Sequence, residues 1–184
     1  AFEHWRAGYG PITHTDETIE RIRSLAQSPK LDPDALYRLL AAADRLASAA
    51  MWTGVHMTYA KCVDLSGAPL PAEAFKAAPE GHTGGSLNMV PAFVGYLAAN
   101  TLSATTRSWV MGQGHCVAAI EALNALTGDV SDAQKGRYDR SEKGLSRLAA
   151  DFYSYAIDAE GRPAVPIGSH AGPNTAGAIS EGGY

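Results

Sequence analysis

The chain has 184 residues, of which 46% are hydrophobic and 18% are charged, and its formal net charge is -4 at pH 7. This length predicts one domain with room for a sizeable core. Charges of both signs are mixed along the sequence, which argues against a basic surface for nucleic acid. No apolar run approaches the ~18 residues of a membrane span. The sequence therefore predicts neither a nucleic-acid-binding protein nor a membrane protein.

The cysteine content points to a reducing environment. Cys62 and Cys116 are the only two cysteines, and their spacing matches neither a disulfide framework nor a zinc signature. A cytoplasmic location is therefore predicted, and the N-terminus shows no signal-peptide pattern. Cys116 is expected to be a small buried hydrophobe rather than a nucleophile. Because the sequence stops in a glycine-rich segment, we expect more protein to follow.

Helix start signals stand out in the first third of the chain. Thr15 can cap one helix, and Asp32 followed by Pro33 starts another, whose apolar residues keep one face as far as Ala50. Residues 51–65 are apolar and aromatic without a clear period, so their structure stays open. A later helix is predicted from a second set of apolar positions: Leu145, Leu148, Phe152 and Tyr155.

A strand, a tight turn and a helix are predicted near the middle of the chain. The apolar run Trp109–Met111 stops at Gly112, and Gly114 then precedes His115. Glycines allow the positive φ that such a turn needs. In open α/β sheets, ligands bind at the carboxyl ends of strands, where His115 would lie. The helix is predicted from four apolar positions: Val117, Ile120, Leu123 and Leu126.

Three histidines, His82, His115 and His170, each lie in a glycine-rich loop. Loops on a rigid scaffold often carry function, and imidazole exchanges protons near neutral pH. The three are therefore candidate catalytic residues, although three surface turns that contain histidine by chance would give the same pattern. A partial dinucleotide fingerprint at Gly112 and Gly114 leaves a nucleotide-binding domain as another alternative.

The three loops together resemble those of the thiamine-diphosphate enzymes of the transketolase and phosphoketolase family, closest to the phosphoketolase N-terminal domain. Residues 81–85, Gly-His-Thr-Gly-Gly, are similar to the family's Gly-His-Pro/Trp-Gly loop. Residues 111–115, Met-Gly-Gln-Gly-His, resemble its strand followed by Gly-His-Gly. Residues 169–183 are similar to the phosphoketolase segment Ser-His-Val-Ala-Pro-Glu-Thr-Pro-Gly-Ser-Ile-His-Glu-Gly-Gly, in the same order along the chain.

This resemblance implies an α/β fold, an open parallel sheet with helices on both faces. The chain, residues 1–184, would be the N-terminal part of the diphosphate-binding domain, with a helical segment at about residues 1–78. The rest of that domain and the pyrimidine-binding domain would lie outside this chain. The cofactors implied are thiamine diphosphate and Mg²⁺, with the metal ligands also outside the chain.

The resemblance also implies roles for individual residues. Imidazoles around the thiazolium ring and the sugar would move protons on and off alkoxides. The catalytic residues would be His82, His115 and His170. Cofactor contacts would come from His82, Gly114, His115, Gly182 and Gly183, and substrate contacts from His170 and Ser180.

The function implied is part of an enzyme that cleaves a carbon–carbon bond of a ketose phosphate such as xylulose 5-phosphate. The rest of the enzyme would be a separate chain or fragment, and the complete unit would form a homodimer. Thr83 and Ser180 stand where the family has an aromatic residue and a histidine. These departures leave open a transketolase outcome or a ketose-phosphate 3-epimerase. The absence of the family's metal-binding segment from residues 1–184 leaves open a non-catalytic assembly module that kept the fold.

Overall fold

The structure, a computed structural model, describes residues 1–112, 116–167 and 175–178. Most of the regular structure in these ranges is helical. The elements are α1 (Phe2–Arg6), α2 (Asp16–Ala26), α3 (Pro33–Tyr59), α4 (Thr83–Ser103), β1 (Trp109–Met111), α5 (Val117–Thr127), α6 (Glu142–Asp151) and β2 (Thr175–Ala178), with a 3₁₀ turn at Ala72–Ala74.

The predicted open parallel sheet with helices on both faces is wrong for the part of the chain that the structure describes. The strands found there form one short parallel pair, in which β1 pairs with β2. The interior is built by helices packed on helices. In the long apolar segments of the sequence, the apolar residues recur with a helical period. The strand β1 between two of these segments is only three residues long. The sheet was implied by the family resemblance and not by this periodicity.

Helix α3 is the element around which the others pack. It starts as predicted, with the Asp32 carboxylate accepting a hydrogen bond from the Asp34 N–H at 2.9 Å. It then continues past Ala50 to Tyr59 and contacts α1, α4, α5 and α6. Its second half buries one face, on which Thr53, Gly54, Met57 and Thr58 lie at helical spacing, whereas Trp52 and Tyr59 are exposed. Because most of the buried residues there are small or polar and the two aromatic residues are exposed, the apolar residues of this stretch show no clear period.

Two apolar cores flank α3. The larger core joins α3 to α4, α5 and α6, and its fully buried side chains include Met57, Phe93, Ile120 and Leu148. A smaller core lies between α1, α2 and the start of α3, around Trp5, Ile19, Leu36 and Tyr37. The prediction of a helical segment at about residues 1–78 within a longer domain stays a prediction, because cores of this kind do not define a domain boundary. None of the helices in the described ranges has the length and apolar character to cross a membrane.

The ends of α5 and α6 differ in how well the sequence predicts them. Helix α5 ends at Gly128, which has a φ of 79° and donates its N–H to the Asn124 carbonyl at 2.8 Å. Helix α6 was predicted to continue through Tyr155 but ends at Asp151. Tyr153 and Tyr155 have φ values of 53° and 51°, in the left-handed region. The chain therefore leaves the helix and forms an irregular segment beside Glu80 and Gly81, which precede α4.

Candidate functional site

The turn before α4 sets the position of His82. Gly81 has a φ of 128°, and a Cβ atom there would lie 3.1 Å from Cε1 of Phe152 and 3.2 Å from Oγ1 of Thr58. Both the backbone conformation and the close packing therefore require glycine. His82 follows as the N-cap residue of α4, with an exposed side chain, and its carbonyl accepts the Ser86 N–H at 2.9 Å.

Thr83, on the other side of His82, ties the turn to α3. Its hydroxyl donates to Oγ1 of Thr58 at 3.0 Å, and the Thr58 hydroxyl donates in turn to the Gly54 carbonyl at 3.2 Å. The resemblance in the sequence predicted an aromatic residue at this position. In this chain the position serves to attach the turn to α3.

Lys76 connects the same region to the end of α6. Its ammonium donates to the carbonyls of Met57 at 2.7 Å and Phe152 at 2.6 Å. Burial lowers the pKa of the Lys76 ammonium, and the nearby Glu80 carboxylate acts in the opposite direction. The Lys76 ammonium thus links the carbonyl of Met57 in α3 to the carbonyl of Phe152 at the end of α6.

A cavity of about 460 Å³ lies beside the His82 turn. Its walls are mainly aromatic and aliphatic, and they include Phe152, which also packs against Gly81. Val117, two residues after His115 in the sequence, and Ile167, three residues before His170, also line it. Residues that flank the His115 and His170 loops in the sequence, together with Phe152, which packs against the His82 turn, therefore line one cavity.

A tyrosine and a carboxylate meet near the cavity wall. The hydroxyl of Tyr155 donates to Oε2 of Glu80 at 2.5 Å, and this hydrogen bond to a carboxylate raises the pKa of Tyr155. Tyr153 and Tyr155 both line the cavity. Neither tyrosine was predicted as a site residue. Their backbone has left-handed φ values, which place them outside α6, and no glycine or proline at these positions indicates such a conformation in the sequence.

Of the predicted site residues, the structure describes His82, which follows Gly81 in a turn that packs against Phe152 of the cavity wall but does not itself line the cavity. Six others lie outside the described residues: Gly114, His115, His170, Ser180, Gly182 and Gly183. Their meeting with His82 at one site stays a prediction.

Cys116, the neighbour of His115 in the sequence, has properties that do not suit a nucleophile. It is 2% exposed, and burial raises the pKa of its thiol. A raised pKa lowers the fraction of thiolate, which is the reactive form. The expectation of a small buried hydrophobe at this position is confirmed.

Comparison with known families gives one match. The sequence model of one protein family, the XFP N-terminal domain, matches residues 36–184 of this chain. The matched range includes all three histidine loops. No curated protein and no solved structure matches the chain.

Proposed function

This chain belongs to the family of phosphoketolase N-terminal domains, and we propose that it forms the histidine-bearing part of a thiamine-diphosphate-dependent active site. The substrate is a ketose phosphate such as xylulose 5-phosphate, and the reaction cleaves the carbon–carbon bond next to its carbonyl. The observation that carries this proposal is the cavity lined by residues that flank the His115 and His170 loops in the sequence and by Phe152, which packs against the His82 turn.

The described residues fit part of the cofactor. The cavity volume of about 460 Å³ falls within the roughly 300–1,000 Å³ of small-molecule sites. Aromatic and aliphatic walls such as Phe152, Val117 and Ile167 suit the flat rings of thiamine. Among the described residues, no group of three or more His, Cys, Asp or Glu side chains is arranged to hold a metal ion. We assign the ligands of Mg²⁺ to another part of the enzyme.

The bound cofactor supplies an electron sink that stabilises the carbanion left by carbon–carbon cleavage. His82 binds the sugar next to this group and exchanges a proton between its ring and a substrate hydroxyl. The exposed position of the His82 ring leaves it accessible to a ligand. Phe152, Val117 and Ile167 exclude water from the reacting atoms, which strengthens hydrogen bonds at the site.

A second polypeptide completes the site in this proposal. It carries the metal ligands and the pyrimidine-binding domain, and the complete unit assembles as a homodimer. The family match concerns an N-terminal domain over residues 36–184, so in this proposal the metal ligands and the pyrimidine-binding domain belong to other parts of the enzyme.

The products of the assembled enzyme decide between the outcomes that the sequence leaves open. With xylulose 5-phosphate and inorganic phosphate, we expect phosphate-dependent release of an acyl phosphate, measured by its reaction with hydroxylamine. A new ketose phosphate formed only when an aldose phosphate acceptor is added would indicate transketolase activity instead. Formation of the C3 epimer without cleavage would indicate the epimerase. Absence of all three products from the thiamine-loaded assembly would contradict the proposed function.

A further inference from the structure

Lys76 makes three hydrogen bonds that join distant parts of the chain. Its backbone N–H donates to the Tyr59 carbonyl at 2.9 Å, and its ammonium donates to the Met57 carbonyl at 2.7 Å. These are two of the last four carbonyls of α3, which have no partner within the helix. The ammonium also donates to the Phe152 carbonyl at 2.6 Å. A single residue therefore caps α3 and attaches it to the end of α6.

A positive charge suits this position. The carboxyl end of a helix carries partial negative charge, and an ammonium with two carbonyl acceptors forms charge-assisted hydrogen bonds. The Lys76 ammonium also lies 5.7 Å from the centre of the Phe152 ring, within range of a cation–π contact. Glu80 supplies a negative charge nearby. An apolar side chain of the same length would leave the two carbonyls without this donor.

The His82 turn packs against the same two parts of the chain that Lys76 joins, the end of α3 and Phe152. A Cβ atom on Gly81 would be 3.2 Å from Thr58, the neighbour of Met57, and 3.1 Å from Phe152. The hydroxyl of Thr83 donates to Thr58 at 3.0 Å. Both neighbours of His82 in the sequence thus contact Thr58 or Phe152, which lie next to or carry the carbonyls that accept from the Lys76 ammonium.

We propose that Lys76 is a positioning residue for His82, which it orients by holding the end of α3 against Phe152. Its importance for turnover rests on the proposed function. Its effect on the orientation of His82 does not, and can be measured separately. Lys76 does not act on the substrate in this proposal.

The first test measures the environment of His82 directly. In the full chain labelled with ¹³C-histidine, the ring resonance of His82 is assigned from its loss in His82→Gln. We expect Lys76→Met to shift this resonance by more than its line width, and Lys76→Arg to restore it at least in part. Lys61→Met is the matched control, because the exposed Lys61 ammonium donates to the Glu73 carbonyl at 3.2 Å and does not contact the turn. An unchanged His82 resonance in folded Lys76→Met would overturn the proposal.

The second test uses the assembled enzyme. Since a displacement of about 1 Å at a reacting group can cost roughly a hundredfold in rate, we expect Lys76→Met to lower kcat per bound cofactor by about 10- to 100-fold, with little change in KM for the sugar. An equal kcat for Lys76→Met and Lys61→Met would contradict the positioning role.

If Lys76→Met does not fold, Lys76→Gln replaces it in both tests, because glutamine keeps a neutral hydrogen-bond donor. We expect Lys76→Gln to shift the His82 resonance and to lower kcat. A wild-type resonance and a wild-type kcat for Lys76→Gln would overturn the proposal. Failure of the wild-type assembly to bind thiamine diphosphate would reject the proposed function. The His82 resonance would still decide the role of Lys76.

Discussion

Replacing His82 with alanine is expected to lower kcat of the assembled enzyme by about 10²- to 10⁴-fold, the range typical of one general acid–base group. His82 is the predicted catalytic residue that the structure describes; its side chain is exposed, and it follows Gly81, which packs against Phe152 of the cavity wall. Steady-state turnover with a ketose phosphate measures the effect. Circular dichroism should show an unchanged fold, because an exposed side chain contributes little to packing.

The matched control for this variant is His56→Ala. His56 lies on α3, where its ring packs on Trp52 at a centroid distance of 3.8 Å and its Nδ1 is 2.9 Å from the Trp52 carbonyl oxygen. It lies within α3 and outside the glycine-rich loops that carry the predicted catalytic histidines. We expect His56→Ala to keep nearly full turnover. Turnover by His82→Ala within twofold of this control would reject the catalytic role of His82.

Replacing Phe152 with alanine is expected to lower the free energy of unfolding by about 3–5 kcal/mol, the usual cost of truncating a buried aromatic residue. Phe152 is 3% exposed and belongs to the larger core. Its ring packs edge-on against Tyr153 at 4.6 Å between centroids and would contact a Cβ atom on Gly81. The variant therefore removes both core packing and the wall of the cavity. Urea unfolding of the chain, followed by circular dichroism, measures the loss.

Ile157→Ala provides the comparison for Phe152→Ala. Ile157 also lines the cavity, but its side chain is 70% exposed. We expect its replacement to change the free energy of unfolding by no more than about 0.5 kcal/mol, as is usual for surface positions. A loss of less than ~1 kcal/mol for Phe152→Ala would show that the end of α6 does not belong to the cooperative core.

Local signals in the sequence predicted where helices begin better than how the helices pack. Thr15 and Asp32 cap α2 and α3 as expected, because the cap depends on residues two or three positions away. Gly128 ends α5 for the same local reason. The length of α3 could not be predicted, since its second half buries Thr53, Gly54 and Thr58 and exposes Trp52 and Tyr59, so its apolar residues lose their period. The open sheet came from the family resemblance, and the described ranges contain only the pair β1 and β2.

The site was predicted in part for a similar reason. His82 stood out because a glycine turn precedes a helix, and the structure confirms that it opens α4. Lys76 did not stand out, because its acceptor Phe152 is 76 residues away in the sequence. Thr58, which contacts both neighbours of His82, is likewise visible only after folding. Single-residue patterns cannot predict contacts of this range.

The central claim is that this chain helps to bind thiamine diphosphate as part of a larger enzyme. The most direct test is native mass spectrometry of the chain purified from the cells that make it, followed by denaturation of the same sample. We predict that the 19.3 kDa chain travels with a larger polypeptide, and that the complex carries extra mass matching thiamine diphosphate and Mg²⁺. A chain that is isolated without a partner, and that gains no mass when both cofactors are added in excess, would contradict the account.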